Sequence, residues 1–506
     1  MLPPMSPAGG VATWAHRATA FVREQRLLWA VTLVGFAWRA VTIAAIRPSC
    51  AMDPVVAGEG LQRLAPPPQS DCLAIGGDSL IHYIQGQQLA EGRGIISPLY
   101  WLAVGSSSPG GAKPPVYSTF LGVLQVLGIA DPTWQRLLSA LVGSLAIFLL
   151  GYTATVTVGR RAGLITAVLV AVNPTLWIND GSLKNDGFIV PVVALVILLA
   201  YRVAKDPRPR TAAWFGAAVG LAALTRSETS MLMVFIGVPL FWGLRRYSPS
   251  ARAKLWLVAA TMAVLVVFPW VMRNLVSFTN PTFMSVGTGS VLLNGSCDDA
   301  YYGENLGSLS FRCFEGEAQV VIAEGFDPRD PAADESVIDR RFMEIATPYV
   351  SDNLDRLPVV VAARVGRIYY LYDPEGSISY DIALEDRGRW QSWSALWFFY
   401  LTVPLAVYGG VVLRRRGIPL SPLVGPIAAV AFTAATTFGI SRFRGPADLA
   451  MCMLAGVALD QLWRRLRSSE PADADGVAPE VGDPSAAPGE LAPSGPAGPG
   501  ERDGGG

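Results

Sequence analysis

The chain has 506 residues, 51% of them hydrophobic and only 16% charged, against about a quarter charged in soluble domains. Forty basic residues balance forty acidic ones, so nucleic-acid binding has no global electrostatic support. The composition excludes an ordinary soluble domain and points to an all-α polytopic membrane protein.

The first apolar run, 28–46, follows Arg17, Arg23 and Arg26. No small-residue cleavage site follows it, so it reads as an uncleaved first helix after a cytoplasmic segment 1–27. A spanning helix needs about 20 apolar residues. Ten stretches approach that length: 28–46, 134–157, 162–178, 187–203, 210–224, 230–244, 254–270, 391–413, 418–438 and 446–463. Basic residues mark the cytoplasmic turns at Arg160 and Arg161, at Lys205, Arg208 and Arg210, at Arg245 and Arg246, at Arg414 to Arg416 and at Arg464 and Arg465. An eleventh apolar stretch, 116–130, would put the N-terminal arginines and Arg160 on opposite sides if it crossed. Parity therefore predicts that it lies along the outer interface.

On this count, 47–133 and the acid-rich 271–390 face outward, and 391–463 supplies the C-terminal transmembrane helices. The segment 464–506, rich in Pro, Gly, Ala and acids, reads as a disordered cytoplasmic tail. Cys50 and Cys72 flank a polar part of the first outer loop, and Cys297 and Cys313 bracket a segment of the second. Outside the cytosol such pairs oxidise, and pairing within each loop is expected. Cys452 lies inside a span and reads as a small apolar residue.

Chemistry is concentrated on the outer side. Asp78 opens a helical pattern and is either an N-cap or a general base held over the membrane surface; Gly92 and Gly94 end that helix. Lys113, in Lys113-Pro114-Pro115, would lie at headgroup depth, where snorkelling is the plain alternative to phosphate contact. Asp180 and Asp186 flank a polar turn and would bind a metal, orient an acceptor or cap the next helix. Arg226 and Glu228 sit together in an outward turn, where a structural ion pair competes with a functional role. Arg273 follows an outward helix end beside Trp270. Arg442 and Arg444 break the inside-positive trend on the last outer turn, and an anionic phosphate ligand would explain them.

In order and placement these motifs resemble the polyprenyl-phosphate-dependent glycosyltransferases of the GT-C superfamily, and are similar to protein O-mannosyltransferases and lipid A aminoarabinose transferases. The resemblance runs from about Leu28 to Leu462. It rests on Asp78 with Tyr83, Lys113-Pro114-Pro115, Asn173-Pro174 with Asp186, the Thr225–Glu228 turn, Trp270 with Arg273, and Arg442-Phe443-Arg444. It implies a GT-C-like bundle of about ten transmembrane helices with extracytoplasmic loops and interfacial helices, in which 28–270 forms the catalytic module. It also implies a multi-pass protein of a bacterial plasma membrane, inverting transfer of a sugar from a polyprenyl-phosphate donor to an acceptor hydroxyl, and Asp78 as catalytic carboxylate.

In that reading Lys113, Arg226, Arg273, Arg442 and Arg444 contact the donor phosphate, and Asp180, Asp186 and Glu228 contact acceptor or metal. The chain departs from the family pattern where Ser79 replaces an acid beside Asp78 and where Lys184-Asn185 precedes Asp186. A divalent cation is therefore an open question. Expected partners are the lipid-linked donor, an acceptor and membrane lipids. The alternative function is a transporter or flippase of a lipid-linked glycan or small solute.

Overall fold

The computed structural model describes residues 20–50, 72–73, 75–316, 319, 330, 333–385 and 387–468. The chain divides into units Met1–Trp463 and Arg464–Gly506, and the first holds the helical bundle. Most of the N-terminal segment, residues 51–71 of the first outer loop and most of the tail lie outside the described residues.

Regular structure among the described residues is helical. In chain order the helices are α1 (Arg26–Val41, continued by a π-helical turn Thr42–Ile46), α2 (Asp78–Ala90), α3 (Pro98–Val104), α4 (Pro115–Val126), α5 (Pro132–Thr157), α6 (Arg160–Val172), α7 (Pro174–Asp180), α8 (Asn185–Lys205) and α9 (Pro209–Thr225). They continue with α10 (Val238–Trp242), α11 (Pro249–Ser277), α12 (Thr288–Asn294), α13 (Asp298–Tyr301), α14 (Glu335–Asp352), α15 (Leu357–Ile368), α16 (Pro374–Ala383), α17 (Arg389–Arg415), α18 (Ser421–Thr436) and α19 (Gly445–Ser468).

Several starts share one local code. Ser97-Pro98, Asp131-Pro132, Asn173-Pro174 and Ser248-Pro249 each place a capping oxygen on free helix N–H groups and a proline in the first turn. Proline loses nothing there, because its missing donor would have had no partner.

The protein is a multi-pass membrane protein. Helices α1, α5, α8, α11 and α17 are long and apolar enough to cross, and α6 with α7, bent by 57°, would make a sixth. The count of ten is not met by length and composition alone. The expected spans 230–244 and 418–438 are shorter or broken helices, and α19 carries Asp448 and Asp460 through its length. Helix α4 has 12 residues, a rise of about 18 Å, too short to cross a core of about 30 Å. It packs on α2 through Leu121 and Leu124, in a small apolar cluster with Leu80, Ile84 and Trp101. The main core runs through α5, α8, α9 and α19, where Ile147, Ile189, Val193, Phe215 and Leu449 are fully buried.

Both expected disulfides are present, Cys50–Cys72 and Cys297–Cys313, with Cα separations of 4.9 and 5.3 Å. Cys452 is a buried free thiol.

Candidate active site

Gly77, at φ 54°, is the N-cap of α2, so Asp78 is the first helical residue and its carboxylate caps nothing. That frees the side chain for longer-range partners. Oδ1 meets Lys113 Nζ at 2.8 Å and Oδ2 meets an Arg442 guanidinium nitrogen at 2.6 Å, and the carboxylate stays 24% exposed. Arg442 also contacts Glu385 at 3.0 Å, and Glu385 takes Lys184 at 2.6 Å. The result is a continuous ion chain, Lys113–Asp78–Arg442–Glu385–Lys184. Beside it, Arg226 pairs with Asp186 and with Glu228. The two groups meet at one aromatic ring: Arg226 and Arg442 lie 4.5 and 4.7 Å from the Phe443 centroid.

Each charged side chain is held by backbone built for it. Lys113 ends a loop in which Ser97 N–H donates to Ser108 O at 2.8 Å and Gly110 N–H to Ile95 O at 3.1 Å. A Cβ on Gly110 would collide with the Ile96 carbonyl, and one on Gly111 would stand 2.5 Å from the Phe278 ring. The buried Glu335 carboxylate accepts the Gly111 N–H at 2.8 Å. Pro114 is extended and Pro115 opens α4, so the lysine leaves a fixed backbone. Arg442 is set by its own carbonyl, which accepts Asn179 Nδ2 at 3.1 Å, and Asn179 Oδ1 in turn accepts Arg387 at 2.7 Å. The bend at Asn173-Pro174 is what brings Asn179 here.

Charge placement decides protonation. Burial alone would raise the Asp78 carboxyl, but Lys113 and Arg442 outweigh it and hold the group well below the usual carboxylate range. Burial likewise opposes ionisation of Glu385, and Arg442 and Lys184 overcome it. His82, with no exposure, hydrogen-bonds Ser118 through Nδ1 at 2.8 Å. Burial and the nearby Lys113 charge push it down to about 3, which favours the neutral imidazole.

Not every expected residue joins this site. Asp180 is sealed against Arg39 at 2.5 Å, with both side chains at 3% exposure or less; it ties α7 to α1. Arg444, fully buried, pairs with Asp448 at 2.9 Å and stacks on Phe399 and Tyr370. Arg273 gives its N–H groups to Ile95 O and Gly110 O at 2.6 and 2.7 Å. These two bonds brace the Lys113 loop. Asp78, Lys113, Arg226, Arg442, Asp186 and Glu228 do come together. Sequence alone does not single out Glu385 or Glu335, because nothing local marks them among nineteen acids of 271–390.

Among the described residues no group of three or more His, Cys, Asp or Glu side chains is placed to hold a metal. Asp78 and Asp186 already neutralise cationic side chains.

Residues 112–272 match the family model described as dolichyl-phosphate-mannose-protein mannosyltransferase. The chain is thus similar to glycosyltransferases that use lipid-phosphate-linked sugars. The matched segment begins at the Lys113 loop and includes Asp186, Arg226 and Glu228; Asp78, Glu385 and Arg442 lie outside it. No curated protein matches the chain. Among solved structures it is similar to the Archaeoglobus fulgidus oligosaccharyltransferase AglB in complex with an inhibitory peptide and a dolichol-phosphate. That similarity has 15% identity and a TM-score of 0.46 over 89% of this chain and 53% of that one. It is also similar to Cupriavidus metallidurans ArnT bound to undecaprenyl phosphate, at 15% identity and TM-score 0.40, over 87% of this chain and 78% of that one. The chain spans about half the length of the oligosaccharyltransferase structures it matches.

Proposed function

We propose that the protein transfers a sugar from a polyprenyl-phosphate donor to an acceptor hydroxyl on the extracytoplasmic face, with inversion at the anomeric carbon. The observation that carries this reading is one partly exposed carboxylate gripped by two cations, Lys113 and Arg442. The family match over 112–272 supports the same reaction class.

The ion pairs explain how the site would work. In the structure, Asp78, Asp186, Glu228 and Glu385 are paired with Lys113, Lys184, Arg226 and Arg442. A donor phosphate entering such a balanced set must take cations from a carboxylate. Of the two carboxylates that each hold two cations, Asp78 is 24% exposed and Glu385 only 9%. When the phosphate engages Lys113 and Arg442, Asp78 loses the charges that suppress its basicity and becomes a better proton acceptor. The acceptor oxygen then attacks the anomeric carbon and the bond from that carbon to the phosphate oxygen breaks. The bonding pair leaves with the polyprenyl phosphate, and the acceptor proton passes to Asp78. Lys113, Arg442 and Arg226 offset the charge that grows on the leaving phosphate.

The test is incubation of the purified protein in liposomes with a mixture of lipid-linked sugars and acceptors, followed by mass and anomeric analysis of products. A new glycosidic bond of inverted configuration is expected. Movement of the lipid-linked sugar across the bilayer with no new bond would favour the transporter instead.

A further inference from the structure

A large cleft in the described residues has no part in the Asp78 site. It measures about 1080 Å³ and lies between the C-terminal end of α8, the turn after α10 and the turn between α17 and α18. Asp186 and Lys205 stand 19 residues apart on α8, about 28 Å of helix rise. The cleft is therefore at the far end of α8 from the Asp186–Arg226 pair, roughly one hydrocarbon-core thickness away.

Its lining is amphiphilic. Leu198, Leu240 and Ile418 form apolar wall, while Arg202, Lys205, Arg245 and Arg246 supply four exposed cations. No acidic residue lines it. Among the described residues none of the four cations forms an ion pair with a carboxylate, whereas neighbouring Arg208 pairs with Asp206 and Arg161 with Asp460. Tyr201 Oη donates to Pro419 O at 3.1 Å, so two walls are pinned and the opening is built into the fold.

Positive residues at a membrane surface serve topology in general, but topology needs no cavity, no apolar wall and no exclusion of acids from one. Four uncompensated cations above an apolar wall match a headgroup phosphate whose acyl chains continue along that wall. Basic pockets between transmembrane helices bind anionic headgroups by this arrangement. We propose that this cleft binds the headgroup phosphate of an anionic glycerophospholipid, with its acyl chains along the Leu198–Leu240 wall.

The test uses delipidated full-length protein, titrated with phosphatidylglycerol and phosphatidylcholine and read by native mass spectrometry. Wild-type protein is expected to prefer phosphatidylglycerol about tenfold. The double variant Arg245→Gln/Arg246→Gln, in the turn after α10, should lose that preference; Arg202→Gln/Lys205→Gln, on α8, should lose it too and serves if the first pair fails to fold. Arg414→Gln/Arg415→Gln removes the same charge from residues that do not line the cleft and should keep it. Equal preference in cleft and control variants would overturn the assignment. Complete displacement of phosphatidylglycerol by inorganic phosphate would overturn it too, because the cleft would then be a free-anion site.

Discussion

Replacing Lys113 with alanine probes the site at its most informative contact. The ammonium sits 2.8 Å from Asp78 Oδ1 and is 29% exposed. Removing one preorganised donor facing charge that grows in a transition state costs about 10²–10³ in rate. Water reaches this position, so the low end applies: about 100-fold, or about 2.7 kcal/mol of transition-state stabilisation. The same change predicts a shift with pH. Burial pushes the Asp78 carboxyl up while Lys113 and Arg442 pull it further down; losing Lys113 removes one of those pulls, so the carboxyl rises. The acid limb of kcat/KM, where Asp78 becomes protonated, should therefore move to higher pH. Stability follows the same sign. A depressed folded-state carboxyl contributes stability above its unfolded value, lost as pH falls through the folded one, and that window narrows in Lys113→Ala. Initial rates of sugar transfer across an acidic pH series measure the catalytic effects. A variant within threefold of wild type and an unmoved acid limb would refute the role given to Lys113.

Three further outcomes rest on individual contacts. Glu335→Ala should raise the donor KM by freeing the Gly111 N–H and loosening the Lys113 loop, at a stability cost of about 1–3 kcal/mol; Glu335→Gln, which retains an acceptor, should restore most of the KM. Asp180→Ala should lower stability in detergent by about 3–5 kcal/mol, because Arg39 is left buried without its partner, while the donor KM of the folded fraction stays unchanged. Opening the Cys297–Cys313 link with Cys297→Ser should cost about 3 kcal/mol for a loop of 16 residues, read as a lowered unfolding temperature that reductant no longer changes.

Local features of this protein are legible in its sequence and distant ones are not. Asp78 and Lys113 stand out because each sits beside helix punctuation, Gly77 before one and Pro114-Pro115 after the other. The disulfides are legible because each pair lies within one loop. Arg39 is easily overlooked, although a lone arginine inside an apolar run is costly enough to need a partner. Glu385 gives no signal at all. Its value comes from Lys184 and Arg442, 201 and 57 residues away, and only the tertiary fold joins them. Arg273 and Arg444 illustrate the converse. Both read as phosphate ligands from their position at helix ends, yet backbone carbonyls take up the first and Asp448, Thr175 and aromatic rings enclose the second. Residue type and topological side do not distinguish an arginine that joins the Asp78 ion chain from one that braces the scaffold. Length and composition pick out five or six spans rather than ten for a related reason, since apolar runs broken by proline or π-helical turns fold as shorter, bent pieces.

The most direct measurement is single-turnover transfer by Asp78→Asn in liposomes, beside donor binding by the same protein. Asparagine keeps the shape of the side chain and removes its negative charge, so Lys113 and Arg442 remain free to hold phosphate. Donor binding equal to or tighter than wild type, with transfer lower by at least about 10², is the result expected of a base competing with substrate for two cations. Transfer at the wild-type rate would contradict it.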